Sequence, residues 1–233
     1  MLLFCVSPGP AFALSAVGVN LLGSPRAGMI LWASVSLSAL LCGALTRPLF
    51  KEKANAPQPF ATPPASPSLL EALSQAAGDG LQSMLLICAF AALFSGLLEL
   101  LRALSLPEPV LQGAAALLEI TNACSALCGK VPLPVLAAVL SWGGMCVHCQ
   151  IAPFLAAAKL PYGAFLCGRI LHAGLAFGVC RALLLFVPLP LGTMAQPQLK
   201  AAAQQNWALS VCMLAMCVLL LCPARIRFGK ART

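Results

Sequence analysis

The side chains able to do chemistry in this chain gather between Gly113 and Pro153. Leu118-Glu-Ile-Thr-Asn122 supplies a carboxylate, a hydroxyl and an amide within one helical turn. Ser141-Trp-Gly-Gly-Met-Cys-Val-His-Cys-Gln150 adds a hydroxyl, an imidazole and a second amide around a Gly-Gly pair. Their surroundings are apolar enough for a membrane core, where an ionisable side chain is costly and normally faces a bundle interior or a wet cavity. Gly143-Gly144, with Pro132, Pro134 and Pro153 around it, predicts helices that break at that depth. A bilayer tolerates irregular backbone only where protein or cavity water satisfies it. The pattern reads as a solute or ion site lined by Glu119, Thr121, Asn122, Ser141, Gly143, Gly144, His148 and Gln150. Glu119 suits a proton carrier or a hydrogen-bond acceptor, and its plainer alternative is a carboxyl group capping a broken helix. His148 can shuttle a proton, coordinate, or hold the break. For Thr121, Asn122, Ser141 and Gln150 the plainer alternative is hydrogen bonding between helices.

These residues need a membrane scaffold, and the composition supplies one. Hydrophobic residues make up 61% of the chain and charged residues 9%, with a mean hydropathy of +0.94. Soluble domains carry roughly a quarter charged residues, so this is a membrane chain. A span needs about 20 apolar residues, and the apolar runs suffice for four or five spans plus shorter pieces. Strand alternation is absent. The expected fold is all-α: a polytopic helical membrane protein with broken or re-entrant helices.

Taken in order, Met1–Val6 is too short for a signal-peptide core. Ser7-Pro-Gly-Pro10 interrupts the apolar run that Ala11–Leu22 continues, and Ala27–Leu45 is a full span. Residues 48–67 form a Pro-rich cytoplasmic linker. Ser68-Leu-Leu-Glu71 is a capping box opening an interfacial helix as far as Asp79-Gly80, after which Leu81–Leu101 crosses. Glu99 and Arg102 read as an interfacial ion pair. Val110–Cys128 is short, contains Glu119, and reads as broken or re-entrant. Val135–Ala158 crosses with an interruption at Gly143-Gly144, and Ala164–Val187 crosses again. In that span Arg169 and His172 read as packing or snorkelling residues. Residues 188–233 hold the last span, Trp207–Leu221, and a basic tail.

The domains therefore read as a partial first repeat (1–47), the linker (48–67), a second repeat (68–187) and the last span with its tail (188–233). Gly28 and Gly43 recur as Gly163 and Gly178 at an offset of 135, each pair preceded by a Ser beside a Pro-Gly or Gly-Gly break. With Arg47, Lys51 and Lys53 inside and Val110–Cys128 re-entrant, the second copy runs opposite to the first, the inverted repeat of secondary transporters. The same orientation puts the C-terminus in the cytoplasm.

The net charge of +8 sits in short loops and the tail rather than on a soluble face, which excludes a nucleic-acid binder. The 12 cysteines lie almost wholly in apolar runs and read as small hydrophobes. Cys124, Cys128, Cys146, Cys149 and His148 lack the paired spacing of a zinc site, so no metal is expected. Neither a Gly-x-Ser-x-Gly elbow nor a phosphate loop occurs, so no enzyme and no cofactor is expected.

Leu117-Leu-Glu-Ile-Thr-Asn122 and Ser141-Trp-Gly-Gly-Met-Cys-Val-His-Cys-Gln150 resemble the GLLE(I/M)TNG and SFGGLSVHxQ motifs of the YlbJ type of sporulation integral membrane protein. That type belongs to the nucleoside-transporter/FeoB gate-domain superfamily. Ser7-Pro-Gly-Pro-Ala-Phe12 with Val17-Gly-Val-Asn-Leu-Leu-Gly23 resembles an earlier stretch of the same pattern, so the likeness covers nearly the whole chain. It implies that the eight residues named above line a gate cavity. It also implies a bacterial cell membrane and a role in endospore formation. Taken with the polar site, the leading expectation is a multi-pass gate-domain protein that binds or moves a small polar, nucleoside-like solute. The alternative is a non-transporting scaffold in cortex or envelope assembly. Ala123 replaces the motif's Gly, Ser36-Leu37 stand where the family often has His-Tyr, and the family's upstream helices have no counterpart. The expected partners are membrane lipid, the solute, and a second copy or another membrane subunit.

Overall fold

The computed structural model describes residues 6–46, 68–158 and 160–189, with position 211 standing alone. The helices within that range are α1 (Phe12–Leu21), α2 (Pro25–Thr46), α3 (Leu69–Ala103), α4 (Glu108–Leu118), α5 (Ile120–Leu127), α6 (Leu133–Trp142), α7 (Gly144–Ala157) and α8 (Tyr162–Phe186). No strand occurs among the described residues. Four helical stretches are long and apolar enough to cross a membrane: Pro25–Thr46, Leu69–Ala103, Leu133–Ala157 and Tyr162–Phe186. The protein is an all-α polytopic helical membrane protein. The Pro-rich linker, the charges used to orient the chain and the last expected span lie outside the described residues.

The core forms where α2, α6 and α8 pack together. Leu31 and Val35 of α2 meet Leu136 and Leu140 of α6 and Ala176 and Cys180 of α8, all of them buried. Helix α1 is wound wide, with a π-type bond from the Leu22 N–H to the Val17 carbonyl at 2.9 Å. It lies against α2 so closely that a Cβ on Gly18 would stand 2.5 Å from the Gly28 Cα. Outward-facing Met29, Leu40, Leu45, Leu85, Ile170 and Leu185 are exposed, a surface that suits lipid rather than water.

Helix α3 departs from expectation in one respect. The capping box at Ser68 is present: the Glu71 N–H donates to the Ser68 hydroxyl and the Ser68 N–H to the Glu71 carboxylate. Beyond it no boundary separates an interfacial helix from a span, because Gly78, Asp79 and Gly80 are absorbed into one continuous helix of 35 residues. At 1.5 Å per residue that is roughly 50 Å, longer than a hydrocarbon core of about 30 Å. Its first half is exposed, and burial begins near Ala89, where α3 meets α4 and α7. Glu99 and Arg102 near its far end form the expected ion pair.

The two expected breaks are both present. The Val110–Cys128 segment divides at Glu119, where the backbone swings out to φ −149°, ψ 126°. The Val135–Ala158 segment divides at Gly143. Helix α4 packs on α3, on α7 and, more lightly, on α6, whereas α5 packs on α6 and α1. The order of a short helix followed by a full-length one appears twice, as α1–α2 and as α7–α8.

Candidate functional site: two helix breaks in contact

The breaks touch. Gly143 and Gly144 adopt φ +82° and +78°, the left-handed region in which a side chain is strained. A Cβ on Gly144 would lie 2.9 Å from the Leu118 carbonyl oxygen and 3.0 Å from the Glu119 nitrogen. A Cβ on Gly143 would lie 2.8 Å from the Arg169 guanidinium. The paired glycines thus let one interrupted backbone rest on the other, and Trp142 adds a hydrogen bond from its indole N–H to the Leu117 carbonyl at 3.3 Å.

Breaking a helix exposes backbone groups that hydrocarbon cannot satisfy. Here two buried charges satisfy them. Glu119, 3% exposed, is the N-cap of α5. Its carboxylate accepts from the N–H groups of Thr121 (2.9 Å) and Asn122 (2.7 Å) and from the Asn122 amide (2.8 Å). That amide also donates to the Ser95 hydroxyl of α3 at 2.8 Å. At the opposite kind of terminus, Arg169 of α8, 1% exposed, caps α6. Its Nη2 and Nε donate to the Trp142 carbonyl at 2.9 and 3.3 Å, and its Nη1 donates to the Val6 carbonyl. An anion at a helix N-terminus and a cation at a C-terminus each oppose the local end of the helix dipole. The two charges are therefore matched to helix ends. The ion pairs among the described residues are Glu99–Arg102 and Glu108–Lys130.

His148, 1% exposed, lies on the other flank of Trp142, with ring centroids 4.4 Å apart. Its Nδ1 is 3.0 Å from the Tyr162 hydroxyl, and Phe165 meets its ring edge-on at 5.2 Å. The His148 Nε2 and the fully buried Ser141 hydroxyl have no hydrogen-bond partner. Gln150 turns back to the Cys146 sulfur at 3.1 Å, and Thr121 is exposed, contributing its backbone to the Glu119 cap.

Of the eight residues singled out, Glu119, Asn122, Ser141, Gly143, Gly144 and His148 belong to the crossing, whereas the side chains of Thr121 and Gln150 stand apart from it. The centre is closely packed. A cavity of about 260 Å³ lies elsewhere, between Arg102, Glu108, Leu111, Gln112 and Ala126. Arg169 is the residue that sequence reasoning undervalued. A guanidinium inside an apolar span, with no carboxylate in its own helix, signals a polar partner in the bundle interior rather than snorkelling. His172 likewise points inward, donating from Nε2 to the Val35 carbonyl of α2 at 3.2 Å and leaving Nδ1 without a partner. Among the described residues no group of three His, Cys, Asp or Glu is placed to hold a metal ion. Comparison with known proteins adds no relative: no family model, no curated protein and no solved structure matches the chain.

Proposed function

We propose that the protein is a gate-type integral membrane protein that binds or moves a small polar solute at the crossing of its two interrupted helices. The observation that carries this reading is the pair of buried, unpartnered polar atoms, Ser141 Oγ and His148 Nε2, beside the break at Gly143. Unsatisfied polar groups are rare in folded proteins and ask for an occupant. Half-helix ends meeting inside a membrane are also the means by which discontinuous helices hold solutes in transporters. The motif likeness to the YlbJ type points the same way and suggests a bacterial cell membrane and a role in endospore formation, while the charge distribution suggests a cytoplasmic C-terminus.

One observation favours a second reading. Glu119, the expected proton carrier, already has its carboxylate engaged by three N–H donors, as a cap that serves rigidity would. A non-transporting scaffold in spore cortex or envelope assembly fits that arrangement. Uptake of labelled nucleosides and labelled organic acids into proteoliposomes separates the two. Transport predicts uptake that Ser141→Ala and Glu119→Gln abolish while insertion persists. No uptake of either class, together with a cortex defect on deletion, overturns transport in favour of the scaffold.

A further inference from the structure

The buried charge of Arg169 is only partly matched. Its side chain is 1% exposed, and no carboxylate among the described residues forms an ion pair with it. The carbonyl end of α6 supplies roughly half an elementary charge. A lone buried cation is otherwise expensive, particularly in a bilayer. Three further features border the break at Trp142–Gly144 that the guanidinium reaches. Helix α7 starts at Gly144, and its N-cap, Gly143, offers no side-chain cap to its first N–H groups. The Ser141 hydroxyl, one residue before the carbonyl that Arg169 holds, has no partner. The His148 Nε2 is also unpartnered, and its ring packs on Trp142, the residue whose carbonyl the guanidinium holds. When Tyr162 donates its O–H to Nδ1, that Nε2 carries the hydrogen and is a donor. A guanidinium, a helix N-terminus, a hydroxyl and an imidazole N–H are the donor set for an oxyanion. The Val6 carbonyl, accepting from Nη1, sits where one oxygen of such an anion would bind.

We propose that Arg169, Ser141, His148 and the N-terminus of α7 bind an anionic group, a carboxylate or phosphate, and that the solute of the gate is therefore an anion rather than a neutral nucleoside. This rests on the solute-binding reading above and fixes the charge class of the ligand. Binding exchanges the Val6 carbonyl for an anion oxygen on the guanidinium fork, with Ser141 and His148 donating from either side.

The test uses the full chain in phosphatidylcholine nanodiscs, titrated with inorganic phosphate or acetate at constant ionic strength, with thermal unfolding as the readout. A saturable rise in unfolding temperature is expected. Ser141→Ala and His148→Phe should weaken the apparent affinity roughly tenfold or more, the scale of one lost hydrogen bond to a charged group. Ser141→Ala removes no hydrogen bond that the fold makes, so it should fold normally where Arg169→Gln could fail. No saturable rise with either anion, or a rise that both variants retain, overturns the proposal. A parallel arm adds phosphatidylglycerol without free anion: stabilisation there that Ser141→Ala removes assigns the site to a lipid headgroup and overturns its assignment to the solute. Neutral nucleoside uptake without anion binding sinks the anion claim and leaves the gate standing. Anion binding without uptake of either labelled class sinks transport and keeps the site.

Discussion

Replacing Gly144 with alanine should destabilise the protein. Two independent costs combine. The residue holds φ +78°, and forcing an L side chain into the left-handed region costs about 1–2 kcal/mol. The new Cβ would also meet the Leu118 carbonyl oxygen at 2.9 Å and the Glu119 nitrogen at 3.0 Å. Those are backbone atoms fixed by the Glu119 cap, so the two segments must part, at an overpacking cost of about 1–3 kcal/mol. The expected loss is about 2–5 kcal/mol. Gly78→Ala is the matched control. It lies inside α3 with nothing within 4 Å of its Cβ, and alanine should stabilise the helix there by up to about 1 kcal/mol. Equilibrium unfolding of both variants in mixed detergent micelles gives the comparison. A Gly144→Ala protein as stable as wild type would refute the contact between the breaks, because strain alone should still be visible and the clash more so.

Other perturbations read the same structure elsewhere. Glu119→Gln leaves one buried N–H of α5 facing an amide NH2 group, and should lower stability by about 1–3 kcal/mol in the same unfolding assay. Ser95→Ala frees the Asn122 amide on its α3 side and should lower stability by about 1 kcal/mol, with retained stability contradicting that tether. Ser68→Ala removes the α3 cap and should cost about 1 kcal/mol of helix stability, seen as faster amide exchange over the first turn. At the exposed start of α4, hydrogen bonds from Gln112 and then Lys130 hold the Glu108 carboxyl below its ordinary 4.5. A depressed folded pKa contributes stability that is complete above 4.5 and lost as pH falls through the folded value. Lys130→Met should therefore flatten the acid limb of the stability profile.

The interruptions were legible in the sequence because their physics is local. A carboxylate in an apolar run must find donors, and a Gly-Gly pair in a long helix has little reason to be there except a left-handed turn. The spacing of Glu119, Thr121 and Asn122 even carries the signature of a cap, a side chain reaching the N–H groups two and three residues ahead. That the two breaks meet was not legible, since nothing in either motif encodes the approach of Gly144 to Leu118. Arg169 was missed for a similar reason. Its partners are the carbonyls of Trp142 and Val6, and a backbone carbonyl leaves no mark in a residue string. The division of α3 was misjudged because Gly78-Asp79-Gly80 resembles a turn, whereas a continuous helix satisfies every backbone group there without tertiary help.

The account depends on the Leu118–Glu119 break lying against Gly144 inside the membrane. A photoreactive leucine analogue placed at Leu118 of the bilayer-reconstituted chain, irradiated and mapped by peptide mass spectrometry, interrogates that contact directly. The structure predicts covalent capture of the α7 peptide that begins at Gly144. Capture of lipid alone, or of helices other than α6 and α7, would contradict it.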